Sequence, residues 1–177
     1  MKEPHYEARD LLRVPSILSL ARVPLAAVFP FVVGDLRMAL AVLALAGFSD
    51  VLDGWWARRF HQTTALGAVL DGATDKVFVL AVAVTLLATR RLTGLEVGLL
   101  GVRDAGEILL AARVALHGDA QGLHEEQRAG AWGKATTFAQ FAAVVLALAA
   151  SPWTLPAAVI AAALGLATVF SYARRFA

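Results

Sequence analysis

This sequence predicts an all-α integral membrane protein of six transmembrane helices, preceded by a short interfacial helix. Three observations predict it. Of the 177 residues, 59% are hydrophobic and 17% charged, and the mean hydropathy is +0.66. The apolar residues fall in six stretches of about 20, the length that crosses a bilayer core, with short polar joints between them. A soluble helical bundle would need polar outward faces, which "LRMALAVLALAGF" and "LPAAVIAAALGLATVF" lack. The chain reads as a single domain over residues 1–177. Cysteine is absent, which excludes disulfides, thiolate metal sites and cysteine nucleophiles.

Residues 1–14, "MKEPHYEARDLLRV", mix acids and bases before any apolar run, unlike a secretory signal. Tyr6, Leu11, Leu12 and Val14 interleave with Glu7, Arg9, Asp10 and Arg13, the pattern of a helix lying along the membrane surface. The spans then run over 15–34, 37–58, 64–89, 92–116, 132–150 and 154–173. They are joined by "GD", "RFHQTT", "TRRL", "HGDAQGLHEEQRAG" and "SPW", of which only the fourth is long enough to fold over a membrane face. Trp55, Trp56, Trp132 and Trp153 stand near span ends, as an aromatic belt does.

With both termini on one side, that side collects Lys2, Arg9, Arg13, Arg58, Arg59, Arg113, Arg128, Lys134, Arg174 and Arg175, against Arg37, Arg90 and Arg91 opposite. The bias places both ends in the cytoplasm, at the cell (inner) membrane. Its basic surface suits anionic lipid head groups. No run of basic and aromatic residues tracks nucleic acid. Arg22, Lys76 and Arg103 fall inside spans, where a charge is expensive and faces a cavity or a partner. Arg22 reads either as a phosphate contact or as a snorkelling charge, and Lys76 as a salt-bridge partner.

The stretch "SDVLDGWWARRFHQTTALGAVLDGATDKV" carries the chemistry. Asp50, Asp53, Gly54 and Ala57 are spaced i, i+3, i+4, i+7 and share one face of the second span; Gly67, Asp71 and Asp75 form a stripe on the third. Two helices joined by a short loop are antiparallel neighbours, so four carboxylates converge near the cytoplasmic end. Alone they would repel, and burial would favour their protonated forms. A divalent cation resolves this, and oxygen ligands select magnesium, manganese or calcium over zinc. Magnesium held by carboxylates completes its shell with substrate phosphates. Gly54, Ala57 and Gly67 leave space for a bulky ligand, and Arg58 offers a guanidinium to phosphate. His61 reads as a loop residue.

The series Asp50, Asp53, Gly54, Ala57, Arg58, Gly67, Asp71 and Asp75 resembles, without a gap, the signature of the CDP-alcohol phosphatidyltransferase family. "VPSILSLAR", "GKATTFAQ" and "TVFSYARR" resemble the family's first, fifth and last spans, and the signature run looks most like the phosphatidylglycerophosphate synthase and cardiolipin synthase branch. Ser16 and Gly72 depart from it, since many relatives have Asn and Pro there. The resemblance implies six transmembrane helices, a homodimer, and transfer of a substituted phosphate from a CDP-linked lipid to an alcohol with release of CMP. It further implies that Asp50, Asp53, Asp71 and Asp75 hold two ions of Mg2+ or Mn2+, that Gly54, Ala57, Arg58 and Gly67 cradle the CDP group, and that Asp75 is the general base. The donor is then CDP-diacylglycerol, whose tails stay in membrane lipid.

Phosphoryl transfer needs negative charge neutralised and the nucleophile placed in line, which a metal clamp serves. An acceptor such as glycerol 3-phosphate needs further cations, and Arg103, Arg113 and Lys134 are available. Asp104 or Glu107 would instead neutralise Arg103. Inositol phosphate and phosphatidylglycerol are the other acceptors open to this chemistry. Two rivals compete with this reading. A prenyltransferase would need more spans, and a divalent-cation transporter would place its carboxylates at the midplane instead of near one side.

Overall fold

Pro24 has no N–H to offer the carbonyl of Leu20, and the first apolar stretch divides there. In the computed structural model of the protein, α1 (Val14–Leu20) and α2 (Arg22–Val32) are separated by the single turn residue Ala21. The structure describes residues 14–60, 65–117 and 131–173. The interfacial helix expected before residue 14, His61 and nearly all of the long fourth joint lie outside the described residues.

Among the described residues, five further helices follow: α3 (Leu36–Arg59), α4 (Ala65–Ala88), α5 (Gly94–His117), α6 (Ala131–Leu148) and α7 (Thr154–Ala173). Among the described residues there is no strand. The helix ends fall within two residues of those expected, because the joints contain the capping chemistry. Asp35 of the "GD" joint accepts from the backbone N–H groups of Arg37 (2.8 Å) and Met38 (3.2 Å), which would otherwise be orphaned at the start of α3. Thr93 and Glu96 form a capping box: the Thr93 N–H donates to Glu96 Oε2 at 2.8 Å, and the Glu96 N–H donates back to Thr93 Oγ1 at 3.3 Å.

Among the described residues, one stretch, Thr154–Ser171, qualifies by length and apolarity as a membrane span by itself; Ser16–Val32 and Gly133–Leu148 are apolar but shorter. Ionisable residues interrupt the others: Asp50 and Asp53 on α3, Asp71, Asp75 and Lys76 on α4, and Arg103, Asp104 and Glu107 on α5. Among the described residues the seven helices form six helical stretches, since α1 and α2 follow one another with a single turn residue between, but length and apolarity alone do not make all six of them spans. The outward surface is nonetheless apolar. Phe31, Phe48, Leu80, Leu109, Phe138 and Phe170 are exposed by 59% to 88%, a display that water penalises and lipid does not.

The chain divides into two compact units, residues 1–89 and 90–177. In the first, α1 and α2 pack against both α3 and α4 around Ala26, Phe29, Leu43, Phe78, Val82 and Leu86. In the second, α7 packs against α5 and α6 around Leu92, Ala143, Ala147, Ala158 and Ala161. Hydrogen bonds tie the second unit together: Gln140 donates to the Leu100 carbonyl at 2.7 Å, and Thr136 and Thr168 pair at 3.0 Å.

Gly106 lets α5 approach α7, since a Cβ there would lie 2.4 Å from Val169 Cγ2. Gly106→Ala is therefore expected to destabilise the protein by about 1–3 kcal/mol through overpacking. Gly98, on the same helix, faces open space. There, alanine is expected to be neutral or stabilising by up to about 1 kcal/mol. Thermal unfolding of the two variants in detergent checks the opposite signs.

Candidate metal and donor site

The carboxylates of the first unit meet around a cation supplied by its first helices. Helical spacing sets Asp50 and Asp53 one turn apart on α3, and Asp71 reaches the same place from α4. Oxygen atoms of the three lie within 4.8 Å of one another. Between them sits the Arg22 guanidinium. Its Nη2 is 2.9 Å from Asp50 Oδ1 and 2.6 Å from Asp53 Oδ2, and its Nη1 is 2.8 Å from Asp71 Oδ1. Ser19 Oγ lies 2.9 Å from Asp53 Oδ2 and 3.3 Å from Asp71 Oδ1. Ser49 fixes α3 to α1 beside this cluster by donating to the Leu18 carbonyl at 2.6 Å.

Burial grades the site. Arg22 is 1% exposed and Asp53 3%, whereas the side chains of Asp50 and Asp71 are about half open. Among the described residues, one guanidinium stands against three carboxylates, which leaves an excess of negative charge at an accessible edge. The donor set fits a hard divalent cation. Octahedral oxygen ligands at about 2.1 Å from magnesium stand roughly 3–4.2 Å apart, so small side-chain rotations would bring this trio onto one ion.

Of the four aspartates expected to converge, the structure gathers three. Asp75 lies one turn beyond Asp71 on α4, exposed and outside this group. The expected route to convergence also differs. Among the described residues, α3 and α4 share α1 and α2 as their main packing partner instead of facing each other broadly. Gly54 and Ala57 follow Asp53 along α3 and are half-buried, as is Gly67 near the start of α4. Arg58 lies in α3, with its side chain outside the described residues.

The proposed acceptor cations belong to the second unit. Arg103 pairs with Glu107 at 2.7 Å, one helical turn away, and donates to Thr137 Oγ1 at 2.7 Å. Lys134 is exposed near the start of α6, and Arg113 lies in α5 with its side chain outside the described residues. Sequence reasoning missed Ser19 and did not choose between two roles for Arg22. A signal was present: Ser16, Ser19 and Arg22 recur every three residues within an apolar run, and each is at most 2% exposed.

The sequence profile of the CDP-alcohol phosphatidyltransferase family matches residues 12–171. The chain belongs to this family, which is membrane-associated and generally dependent on a divalent metal. Among curated relatives, it is similar to the cardiolipin synthase (CMP-forming) of Streptomyces coelicolor, 33% identical over 149 residues, which is 78% of this chain and 66% of that protein. It is similar to human cardiolipin synthase (CMP-forming), 42% identical over 69 residues, 37% of this chain and 23% of that one. It also resembles a CDP-diacylglycerol--glycerol-3-phosphate 3-phosphatidyltransferase of Pectobacterium atrosepticum, 44% identical over 81 residues, 42% of this chain and 43% of the relative. The matched segments thus cover 23% to 66% of these relatives' own lengths.

Proposed function

We propose that this protein transfers a phosphatidyl group from CDP-diacylglycerol to the hydroxyl of an alcohol, releasing CMP, with glycerol 3-phosphate as the acceptor. The carboxylate trio of Asp50, Asp53 and Asp71 carries the reading, because an oxygen-rich, net-negative pocket suits a divalent cation that in turn attracts a diphosphate. Those residues, together with Asp75 for a second ion, would hold Mg2+ or Mn2+. When bound, the metal supplies charge neutralisation for the phosphates. Gly54, Ala57 and Gly67 leave space for the CDP group, and Arg58 binds its phosphate. Asp75, standing apart from the trio, takes the proton from the acceptor hydroxyl. Lys134, Arg113 and Arg103 attract the acceptor's phosphate, Arg103 from within its pair with Glu107. The chain acts as one domain of six spans, as a homodimer at the inner membrane, with both termini and the site cytoplasmic; the apolar outward side chains support the membrane setting.

A second acceptor is favoured by a specific observation. A relative matched over 78% of this chain is named a cardiolipin synthase (CMP-forming), and a CMP-forming route to that lipid adds the phosphatidyl group to phosphatidylglycerol. Purified protein in detergent, given magnesium, CDP-diacylglycerol and each acceptor in turn, separates the two. The expected result is CMP release with glycerol 3-phosphate and a phosphorylated phosphatidylglycerol as product. Cardiolipin formed only with phosphatidylglycerol would transfer the assignment to the second acceptor. No CMP release with either, or with inositol phosphate, would overturn the reaction class.

A further inference from the structure

We infer that Arg22 is the built-in counter-cation of the carboxylate site: it holds Asp50, Asp53 and Asp71 together before metal arrives and competes with metal for their oxygens. This rests on the reading of the trio as a divalent-metal site. The geometry is specific. A single guanidinium contacts one oxygen from each of three carboxylates on two different helices, at 2.6 to 2.9 Å. An arginine that only snorkelled would carry its head group to the membrane surface, whereas Arg22 is 1% exposed. Its Nε is buried without a hydrogen-bond partner, so burial there costs a donor its bond and is compensated by the charge contacts at the two Nη atoms.

Two consequences follow from electrostatics. Without Arg22, three carboxylates face one another with Ser19 still donating from α1, and their repulsion falls on the packing of α3 and α4 against α1 and α2. The cluster's formal charge also changes from −2 to −3. A divalent ion is then attracted more strongly and no longer has to approach a fixed positive charge within a few ångströms. Arg22 therefore stabilises the metal-free protein and weakens metal binding, and it acts as a positioning residue for Asp50, Asp53 and Asp71.

Arg22→Gln, in the full chain purified in detergent, tests this without any turnover. Binding of Mn2+ is measured by electron paramagnetic resonance, and thermal unfolding is followed in EDTA and in excess Mn2+. Wild-type protein is expected to bind Mn2+. The variant is expected to bind it at least about tenfold more tightly, to unfold at lower temperature in EDTA, and to show a larger metal-induced rise in unfolding temperature. Arg22→Lys keeps one positive charge but cannot reach three carboxylates with a planar fork; it is expected to fall between the two and provides the affinity comparison if the glutamine variant cannot be purified. Mn2+ binding by wild type, with equal or weaker binding in the variants, would overturn the counter-cation role and leave the metal site standing. Absence of Mn2+ binding by wild type would overturn both.

Discussion

In excess EDTA, CMP release from CDP-diacylglycerol is expected to fall to background, and added magnesium or manganese is expected to restore it. Three carboxylate oxygens within 4.8 Å of one another, with the Arg22 guanidinium among them, leave negative charge, among the described residues, where a diphosphate must bind. Without metal, donor and pocket repel each other. The loss should therefore appear first in donor binding, and an equilibrium measurement with a CDP-lipid in EDTA and in magnesium checks it. Full turnover in EDTA would remove the metal from the site. Calcium binds oxygen ligands through a larger and looser shell, so restoration by calcium is expected to be poorer.

Asp75→Asn and Asp53→Asn are expected to fail in different ways. If Asp75 removes the acceptor proton, its amide keeps the size of the side chain and loses the base, so transfer slows by about 10² to 10⁴ while donor binding persists. The structure sharpens the contrast, because Asp75 stands outside the group formed by Asp50, Asp53 and Asp71. Asp53 is the buried member of that group and accepts from both Arg22 and Ser19. Its amide variant loses a metal ligand, and raised magnesium is expected to recover part of the rate. A magnesium titration of both variants, alongside donor binding, is the measurement. Recovery of Asp75→Asn to near wild-type turnover at high magnesium would make Asp75 a ligand only.

Helix boundaries were legible because they are written locally. Apolar run lengths, Asp35 before α3 and the Thr93–Glu96 pair before α5 each act within a few residues. The aspartates were legible as a group for the same reason, since a helix face is a matter of spacing. What stayed hidden was which helix lies between which. Spacing places Asp53 and Asp71 on faces but says nothing of α1 and α2 as the shared partner of α3 and α4, and that arrangement decides where Arg22 goes. The break at Ala21 could have been anticipated from Pro24, whose missing N–H frees the Leu20 carbonyl. Arg103 shows the reverse case: Glu107 was visible at i+4 as a partner, and the two pair at 2.7 Å.

The shared partner also has a meaning in time. A chain is made from its amino end, so on the six-span reading Arg22 enters the bilayer before α3 and α4 exist. An arginine or an aspartate costs about 2.5–3.5 kcal/mol to insert at the centre of a lone span, and a smaller penalty remains nearer one end. The early helix thus waits with an unmatched positive charge until α3 arrives, and its Nη1 waits longer. α3 brings Asp50 and Asp53 to Nη2, and only when α4 delivers Asp71 does Nη1 gain its carboxylate as well. The same contacts that prepare a metal site thereby give the first half of the protein a reason to remain unfinished in the membrane until its fourth helix arrives.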